Sequence, residues 1–120
     1  FFYTKSHPSQ VCSVDRKHLL RHKIPPNDIG SKKVNFYSLD SILKMYSFNR
    51  FDFLQVDAEG HDYEIIKSLY KMKIMPEIVR FESSHMDNKK LNKILNDLSL
   101  NKYNFIVEKR DITAIRMQAN

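Results

Sequence analysis

The apolar residues of the chain recur with two different periods, and each period predicts one type of secondary structure. Three segments carry apolar residues at the i, i+3, i+4, i+7 spacing that places them on one face of an α-helix. They predict a helix that begins after Ser38, a helix over residues 62–72 and a helix that begins after Asp87. Ser38 and Asp87 are residue types that accept hydrogen bonds from the free amides at a helix start.

Five segments have the short apolar or alternating pattern of β-strands: residues 34–37, 51–56, 77–81, 103–107 and 112–117. Only Asp52 and Gln55 interrupt residues 51–56, so we expect a strand buried on both faces. Strands and helices alternate along the chain, which predicts an α/β fold with a mostly parallel sheet covered by helices. A short polar link joins the last two strands and predicts a C-terminal antiparallel hairpin.

Residues 1–32 lack this regularity and belong to the basic part of the chain. Residues 1–50 contain nine Lys or Arg and three Asp or Glu, whereas the other residues contain eleven of each, giving a net charge of +6. We predict an irregular basic segment with a strand-like start and a short helix over 15–23, in the same domain as residues 33–120. A basic segment attracts polyanions. Because aromatic residues are not interleaved with these charges, we expect a solvated surface and no nucleic-acid partner.

Other sequence features narrow the class of protein. No apolar run is long enough to span a bilayer and no secretory signal opens the chain, so we expect no membrane partner. Cys12 is the single cysteine, which excludes an internal disulfide and favours a cytoplasmic location. The chain opens on Phe1-Phe2-Tyr3, which lacks Met and is typical of a strand interior. We therefore expect a chain that is cut at its N-terminus.

Polar side chains follow two predicted strands at the point where each strand ends. Asp57, Glu59 and His61 come after Val56, and Glu82 and His85 follow the next strand. In an open parallel sheet, ligands bind beyond the carboxyl ends of the strands. The sequence therefore predicts that the chemistry of the protein gathers at this edge, with Gly60 allowing a sharp turn of the backbone.

Each of these residues also has a purely structural interpretation. Asp57 can cap the following helix, and a single histidine is more often a surface residue than a catalyst. Asp57, Glu59 and Glu82 together are also suited to Mg²⁺ and phosphoryl transfer. Three classes stay open on the residues alone: an enzyme, an α/β binding module that uses the basic N-terminal segment, and a metal-dependent phosphoryl-transfer domain.

Three segments in order resemble the C-terminal half of FkbM-type methyltransferases. They are YSLDSIL at residues 37–43, FDFLQVDAEGHD at 51–62 and PEIVRFE at 76–82. The family pattern is a Leu-Asp helix start, a strand ending in Asp-x-Glu-Gly, a helix, and a strand after proline that ends in Glu. The resemblance covers residues 33–117 and implies a Rossmann-like sheet with S-adenosylmethionine as methyl donor.

The resemblance also implies roles for single residues. It implies methyl transfer to a hydroxyl of a sugar or natural product, so that a small molecule or glycan is the acceptor. Asp57 matches the position that faces the amino-acid part of the donor or the acceptor, with Glu59 and His61 as supporting donor-binding residues. Glu82 matches a position nearer the acceptor, and His85 is the candidate base. No metal ion belongs to this interpretation.

The chain departs from the family pattern in three places. Gln55 stands where the family often has Lys, and Asn101 stands where it often has Gly. The chain contains only two glycines, Gly30 and Gly60, and neither lies in the glycine-rich turn that holds the donor in the family. The resemblance therefore implies an N-terminally truncated fragment that lacks the first strands, needs the missing N-terminal half of the domain, and is incomplete as a catalyst alone.

Overall fold

The computed structural model describes residues 1–8 and 11–117 and separates the chain into two compact units, Phe1–Phe36 and Tyr37–Asn120. Each unit contains its own sheet, so the protein is a mixed α/β structure with two sheets. Within the described residues, no helix combines the length and the apolar content that crossing a bilayer requires.

The first unit is built on a small antiparallel sheet with the order β2-β1-β3. Its elements are β1 (Phe2–Thr4), β2 (Cys12–Ser13), α1 (Arg16–Arg21), a 3₁₀ turn (Pro26–Asp28) and β3 (Ile29–Ser31). Gly30 pairs with Tyr3 in this sheet. A Cβ atom at residue 30 would lie 2.6 Å from the Tyr3 ring, so a larger residue at this position would displace that ring.

The sequence interpretation of the first unit needs two corrections. Residues 1–32 are less irregular than predicted, because β1 supplies a central strand to which both β2 and β3 pair. The predicted strand at 34–37 is absent: these residues are exposed and without regular structure. An isolated strand leaves its backbone groups without partners, and no described strand pairs with this segment. The assignment of residues 1–32 to the same domain stays a prediction.

The second unit contains a four-stranded sheet with the order β4-β5-β7-β6. Its strands are β4 (Phe53–Val56), β5 (Ile78–Glu82), β6 (Tyr103–Glu108) and β7 (Asp111–Arg116). β4 and β5 are parallel, with Val56 opposite Phe81. β7 is antiparallel to β5, with Glu82 opposite Asp111, and β6 is antiparallel to β7. The predicted C-terminal hairpin is therefore confirmed.

The prediction of a mostly parallel sheet is wrong for the described part of the chain, where one of the three pairings in the larger sheet is parallel. The reason lies in the hairpin. Two residues, Lys109 and Arg110, separate β6 from β7, and so short a link allows only antiparallel pairing. β7 lies between β5 and β6 and runs antiparallel to both, so two of the three pairings in this sheet are antiparallel.

The three predicted helices of the second unit are confirmed as α2 (Leu39–Met45), α3 (Asp62–Met72) and α4 (Asn88–Leu100). Ser38 accepts a hydrogen bond from the Ser41 amide at the start of α2, and Asp87 accepts one from the Lys90 amide at the start of α4. The core joins apolar residues of α3 and α4 to alternate residues of the strands. These residues are Ile66, Leu69, Ile94 and Leu98 from the helices, and Val56, Val79, Phe81, Ile112 and Ala114 from the sheet.

The expectation that residues 51–56 are buried on both faces is also wrong. β4 forms an edge of the sheet, and its residues alternate between exposed and more buried positions. Phe53 is 53% exposed, whereas Val56 belongs to the core. The apolar run thus lies on a strand with one covered face, and the other face carries polar residues toward the carboxyl end.

We expect the α3 core contact to account for a large part of the stability. Leu69 is fully buried, so Leu69→Ala removes apolar contacts and leaves a cavity, lowering the free energy of unfolding by about 3 kcal/mol. Leu100→Ala is the matched control because Leu100 is 83% exposed, and its effect stays within about 0.5 kcal/mol. Urea denaturation followed by circular dichroism measures both, and equal losses for the two variants would contradict the proposed core.

Candidate functional site

The ends of β4 and β5 open into a polar cavity of about 320 Å³. Parallel strands place their carboxyl ends at the same edge of a sheet, and β7 adds its first residue because it runs antiparallel to β5. The charged side chains that line the cavity are Asp57, Glu59, Glu82, Asp111 and Arg80. The structure thus brings the acidic residues predicted from the two strand ends into one space.

The buried carboxylate of Asp62 holds the loop that follows β4. Asp62 is 1% exposed, and it accepts hydrogen bonds from the amides of Ala58 (3.4 Å) and Gly60 (3.3 Å). Glu59 and Gly60 have positive φ angles of 49° and 100°, so the chain turns sharply here. The predicted turning role of Gly60 is confirmed, since such angles cost glycine little.

The structure also answers the question of helix capping at this loop. His61, not Asp57, is the residue at the N-cap position of α3. Asp62 is the first residue of α3, where a negative charge suits the helix dipole. Its contacts with the amides of residues 58 and 60 were not predicted, because an acidic residue at a helix start has the same pattern whether or not it also binds the preceding loop.

A histidine lies between two carboxylates beside the cavity. His85 Nε2 is 3.3 Å from Glu59 Oε2 and 3.6 Å from Glu82 Oε2. The two loops also approach each other at Gly60, where a Cβ atom would lie 3.8 Å from the Cβ atom of His85. Ser84 donates a hydrogen bond to Glu82. This arrangement places the imidazole within ion-pair distance of two carboxylates.

The loop after β5 is anchored to the C-terminal hairpin. The amide and the hydroxyl of Ser83 both donate hydrogen bonds to the Arg110 carbonyl, at 2.7 and 2.8 Å. The Met86 amide donates to the Ser83 carbonyl and closes a turn. These contacts fix the backbone on both sides of Ser84 and thereby the position from which His85 extends.

Arg80 is a charged residue within the otherwise largely apolar strand β5. The structure shows that it is paired: Nη2 donates to Asp111 Oδ2 at 2.7 Å and Nη1 donates to Glu108 Oε2 at 3.2 Å. The hydrogen bond to Asp111 raises the pKa of the Arg80 guanidinium. Its neighbours Val79 and Phe81 are buried, so Arg80 lies on the opposite face of the strand.

Asp57 is exposed at the mouth of the cavity, in an acidic environment. Partial desolvation by the surrounding protein, followed by the charges of Glu59 and Glu82, raises the pKa of the Asp57 carboxyl above its ordinary value. Its exposure keeps the energetic effect small. Repulsion among these carboxylates means that the site is not arranged for stability alone.

His61 and His85 are the predicted site residues that do not line the cavity. His85 lies beside the cavity through its contacts with Glu59 and Glu82, whereas His61 is exposed. The His61 carbonyl accepts the first hydrogen bonds of α3, from Glu64 and Ile65. Asp57, Glu59, Glu82 and His85 do converge. The catalytic and donor-binding roles of all five residues stay predictions.

Sequence reasoning missed Asp111 and Gln55 as residues of the cavity, and it gave Arg80 no functional place. The signal that would find them is the pairing register, which sets Gln55 opposite Arg80 and Glu82 opposite Asp111. The place of Asp111 depends on β7 lying next to β5, and nothing in the local pattern of residues 111–116 specifies this neighbour. Glu59, Glu82 and His85 present ligand atoms within 4.8 Å of one another, which suits a metal ion but does not identify one.

Comparison with known proteins assigns the family. Searches of curated proteins and of solved structures gave no significant match. The family model described as the methyltransferase FkbM domain matches residues 3–107, which is most of the chain. This match supports methyltransferase activity and gives no support to a binding module or to phosphoryl transfer. The chain belongs to the FkbM methyltransferase domain family.

Proposed function

We propose that the protein is part of an S-adenosylmethionine-dependent methyltransferase that methylates a hydroxyl of a sugar or natural product. The observation that carries this proposal is the convergence of Asp57, Glu59 and Glu82 in one cavity at the carboxyl ends of two parallel strands, with His85 beside it. In α/β proteins of this kind, that edge is the position at which ligands bind. We further propose that the β4-β5-β7-β6 sheet is the C-terminal half of a Rossmann-like sheet.

The acidic lining fits the charge of the proposed donor. S-adenosylmethionine supplies a methyl group on a positively charged sulfur, and it also carries an ammonium group. Carboxylates stabilise nearby cations, so Asp57 and Glu59 are suited to hold the positive groups. The loop geometry fixed by Asp62 supports this role, because a preorganised carboxylate needs little rearrangement when a cation binds.

We assign His85 and Glu82 to the acceptor, together with Asp57, which thus has a role toward both donor and acceptor. Transfer forms a carbon–oxygen bond as the carbon–sulfur bond breaks, and the acceptor hydroxyl loses its proton. We assign His85 as the base that takes this proton. Glu59 and Glu82 face its Nε2 atom and hold the ring in position. Glu82 and Asp57 orient the hydroxyl, since a carboxylate accepts a hydrogen bond from it.

The main test is Asp57→Ala in the enzyme expressed with its upstream coding sequence, for which we expect a glycine-rich strand–turn–helix and a strand ending in Asp or Glu. Methyl transfer falls by about 100-fold or more, because an electrostatic contact at the reacting groups is lost. Asp52→Ala is the matched control: Asp52 lies just before β4 at its other end and pairs with Arg50 at 2.9 Å. Radiolabelled methyl transfer measures both variants, and retained activity in Asp57→Ala would remove Asp57 from the mechanism.

Our second prediction concerns stability at the same residue. An acidic group whose pKa is raised in the folded state favours folding at low pH, and this contribution is lost as the pH rises through the raised pKa. Ionised Asp57 therefore costs stability at pH 7. We expect Asp57→Asn to increase the free energy of unfolding there by a few tenths of a kcal/mol, an amount of the order typical of exposed charges.

The gain from Asp57→Asn shrinks as the pH falls through the raised pKa of Asp57, and it is lost below the ordinary carboxyl pKa of about 3.9, where Asp57 is protonated in both the folded and the unfolded state. Urea midpoints measured across this pH range for both proteins give the comparison. Asp52→Asn serves as the control and shows no gain, because Asp52 is paired with Arg50. Destabilisation by Asp57→Asn at pH 7 would show that Asp57 has a structural partner rather than a functional one.

A third prediction addresses the donor. We expect the 120 residues alone to bind S-adenosylmethionine weakly, with a dissociation constant above about 1 mM, because the chain has no glycine-rich turn to hold the rest of the molecule. Isothermal titration calorimetry measures this. Tight binding by these residues alone would contradict the proposal that the fragment is incomplete.

A cytoplasmic location stays a prediction.

A further inference from the structure

One face of the larger sheet presents hydrogen-bonding side chains to the cavity in register. Gln55 on β4 lies opposite Arg80 on β5, and Glu82 on β5 lies opposite Asp111 on β7. All four side chains line the cavity. Directly opposite residues of paired strands extend to the same side, so an amide, a guanidinium and two carboxylates form one polar surface.

The charge of Arg80 within this surface is balanced by its neighbours. Its two ion pairs, with Asp111 and Glu108, engage two of the five N–H donors that a guanidinium carries. The Arg80 side chain is 35% exposed, so a ligand in the cavity can reach it. Because two carboxylates already neutralise Arg80, it offers hydrogen-bond donors without a net attraction for anions.

The rest of the lining argues against an anionic ligand. Asp57, Glu59 and Glu82 add negative charge to the same cavity. A carboxylate or phosphate on the acceptor would be repelled by Glu82, the carboxylate of this group that is not assigned to the cationic donor. A hydroxyl group, in contrast, donates to a carboxylate and accepts from a guanidinium or an amide. An uncharged compound with several neighbouring hydroxyls therefore satisfies all of these side chains at once.

We propose that Arg80, with Gln55 and Asp111, determines acceptor specificity by binding hydroxyls adjacent to the methylated one and selecting uncharged polyols over acidic ones. This inference rests on the proposed function for the identity of the ligand as the acceptor. Arg80 and Gln55 donate hydrogen bonds to the acceptor, and Asp111 both receives one and keeps Arg80 neutralised.

The first experiment titrates the protein with methyl β-glucopyranoside and, in parallel, with methyl β-glucuronide, which has a carboxylate in place of one hydroxymethyl group. Two-dimensional ¹H–¹⁵N NMR locates the site and gives both affinities. We expect the neutral probe to shift the resonances of Gln55, Arg80 and Asp111 and to bind at least about fivefold more tightly than the acidic probe. Equal affinities, shifts confined to other residues, or no binding of the neutral probe would overturn the proposal.

The second experiment compares variants. Arg80→Met keeps the length of the side chain but removes its donors, and we expect it to weaken binding of the neutral probe by about tenfold. Arg116→Met is the matched control, since Arg116 ends β7 far along the strand from Asp111 and contacts the Met75 carbonyl.

Asp111→Asn leaves part of the Arg80 charge unbalanced, so the preference against the acidic probe narrows or reverses. A merely structural ion pair would not change this preference.

Gln55→Ala keeps the proposal testable if Arg80→Met does not fold. Gln55 is exposed, and its replacement leaves the core unchanged, yet we expect weaker binding of the neutral probe. If Gln55→Ala and Asp111→Asn fold and bind both probes like the wild type, the proposed subsite is wrong. Methyl transfer is measured separately, in the enzyme expressed with its upstream coding sequence. Absent transfer with intact probe discrimination would reject the proposed function alone, and transfer without probe discrimination would reject the subsite alone.

Discussion

The parallel pairing of β4 with β5 is the constraint on which the candidate site depends. Because Val56 lies opposite Phe81, the next residues along the chain, Asp57 after β4 and Glu82 at the end of β5, lie at the same edge of the sheet. A slip of one residue in this register would turn Val56 away from the core and displace both carboxylates. The burial of Val56 and Phe81 therefore determines the position of the acidic residues as well as the stability of the sheet.

Two sets of hydrogen bonds hold the loops that follow β4 and β5 and so determine the geometry of the site. Asp62 fixes the loop after β4 through two backbone amides, and Arg110 fixes the loop after β5 through Ser83. Both contacts lie outside the cavity, yet they determine where Glu59 and His85 meet. The site is thus held by backbone contacts, while its own carboxylates repel one another. Such a balance is expected where residues are placed for binding and not for stability.

The sequence predicted the parts of the fold that have a strong local pattern. The stripe of α3 and the Ser38 and Asp87 caps were predictable because spacing and residue type determine them locally. The meeting of Asp57 with Glu82 followed from one further rule, that carboxyl ends of parallel strands share an edge. The place of Asp111 was not predictable, because it depends on which strand β7 pairs with. The exposed face of β4 was missed for a related reason, since burial reflects the whole sheet and not the apolar content of one strand.

The alternation of β5 explains how one strand can serve the core and the cavity without conflict. Val79 and Phe81 face the helices, whereas Arg80 and Glu82 face the polar surface. A change on the first side removes buried apolar contacts, and a change on the second side mainly alters charge and hydrogen bonding at an accessible surface. The charged residue inside an apolar strand is therefore not a defect in the pattern. Its presence at the centre of the sheet, balanced by Asp111 and Glu108, is the feature that separates this cavity from a uniformly acidic one.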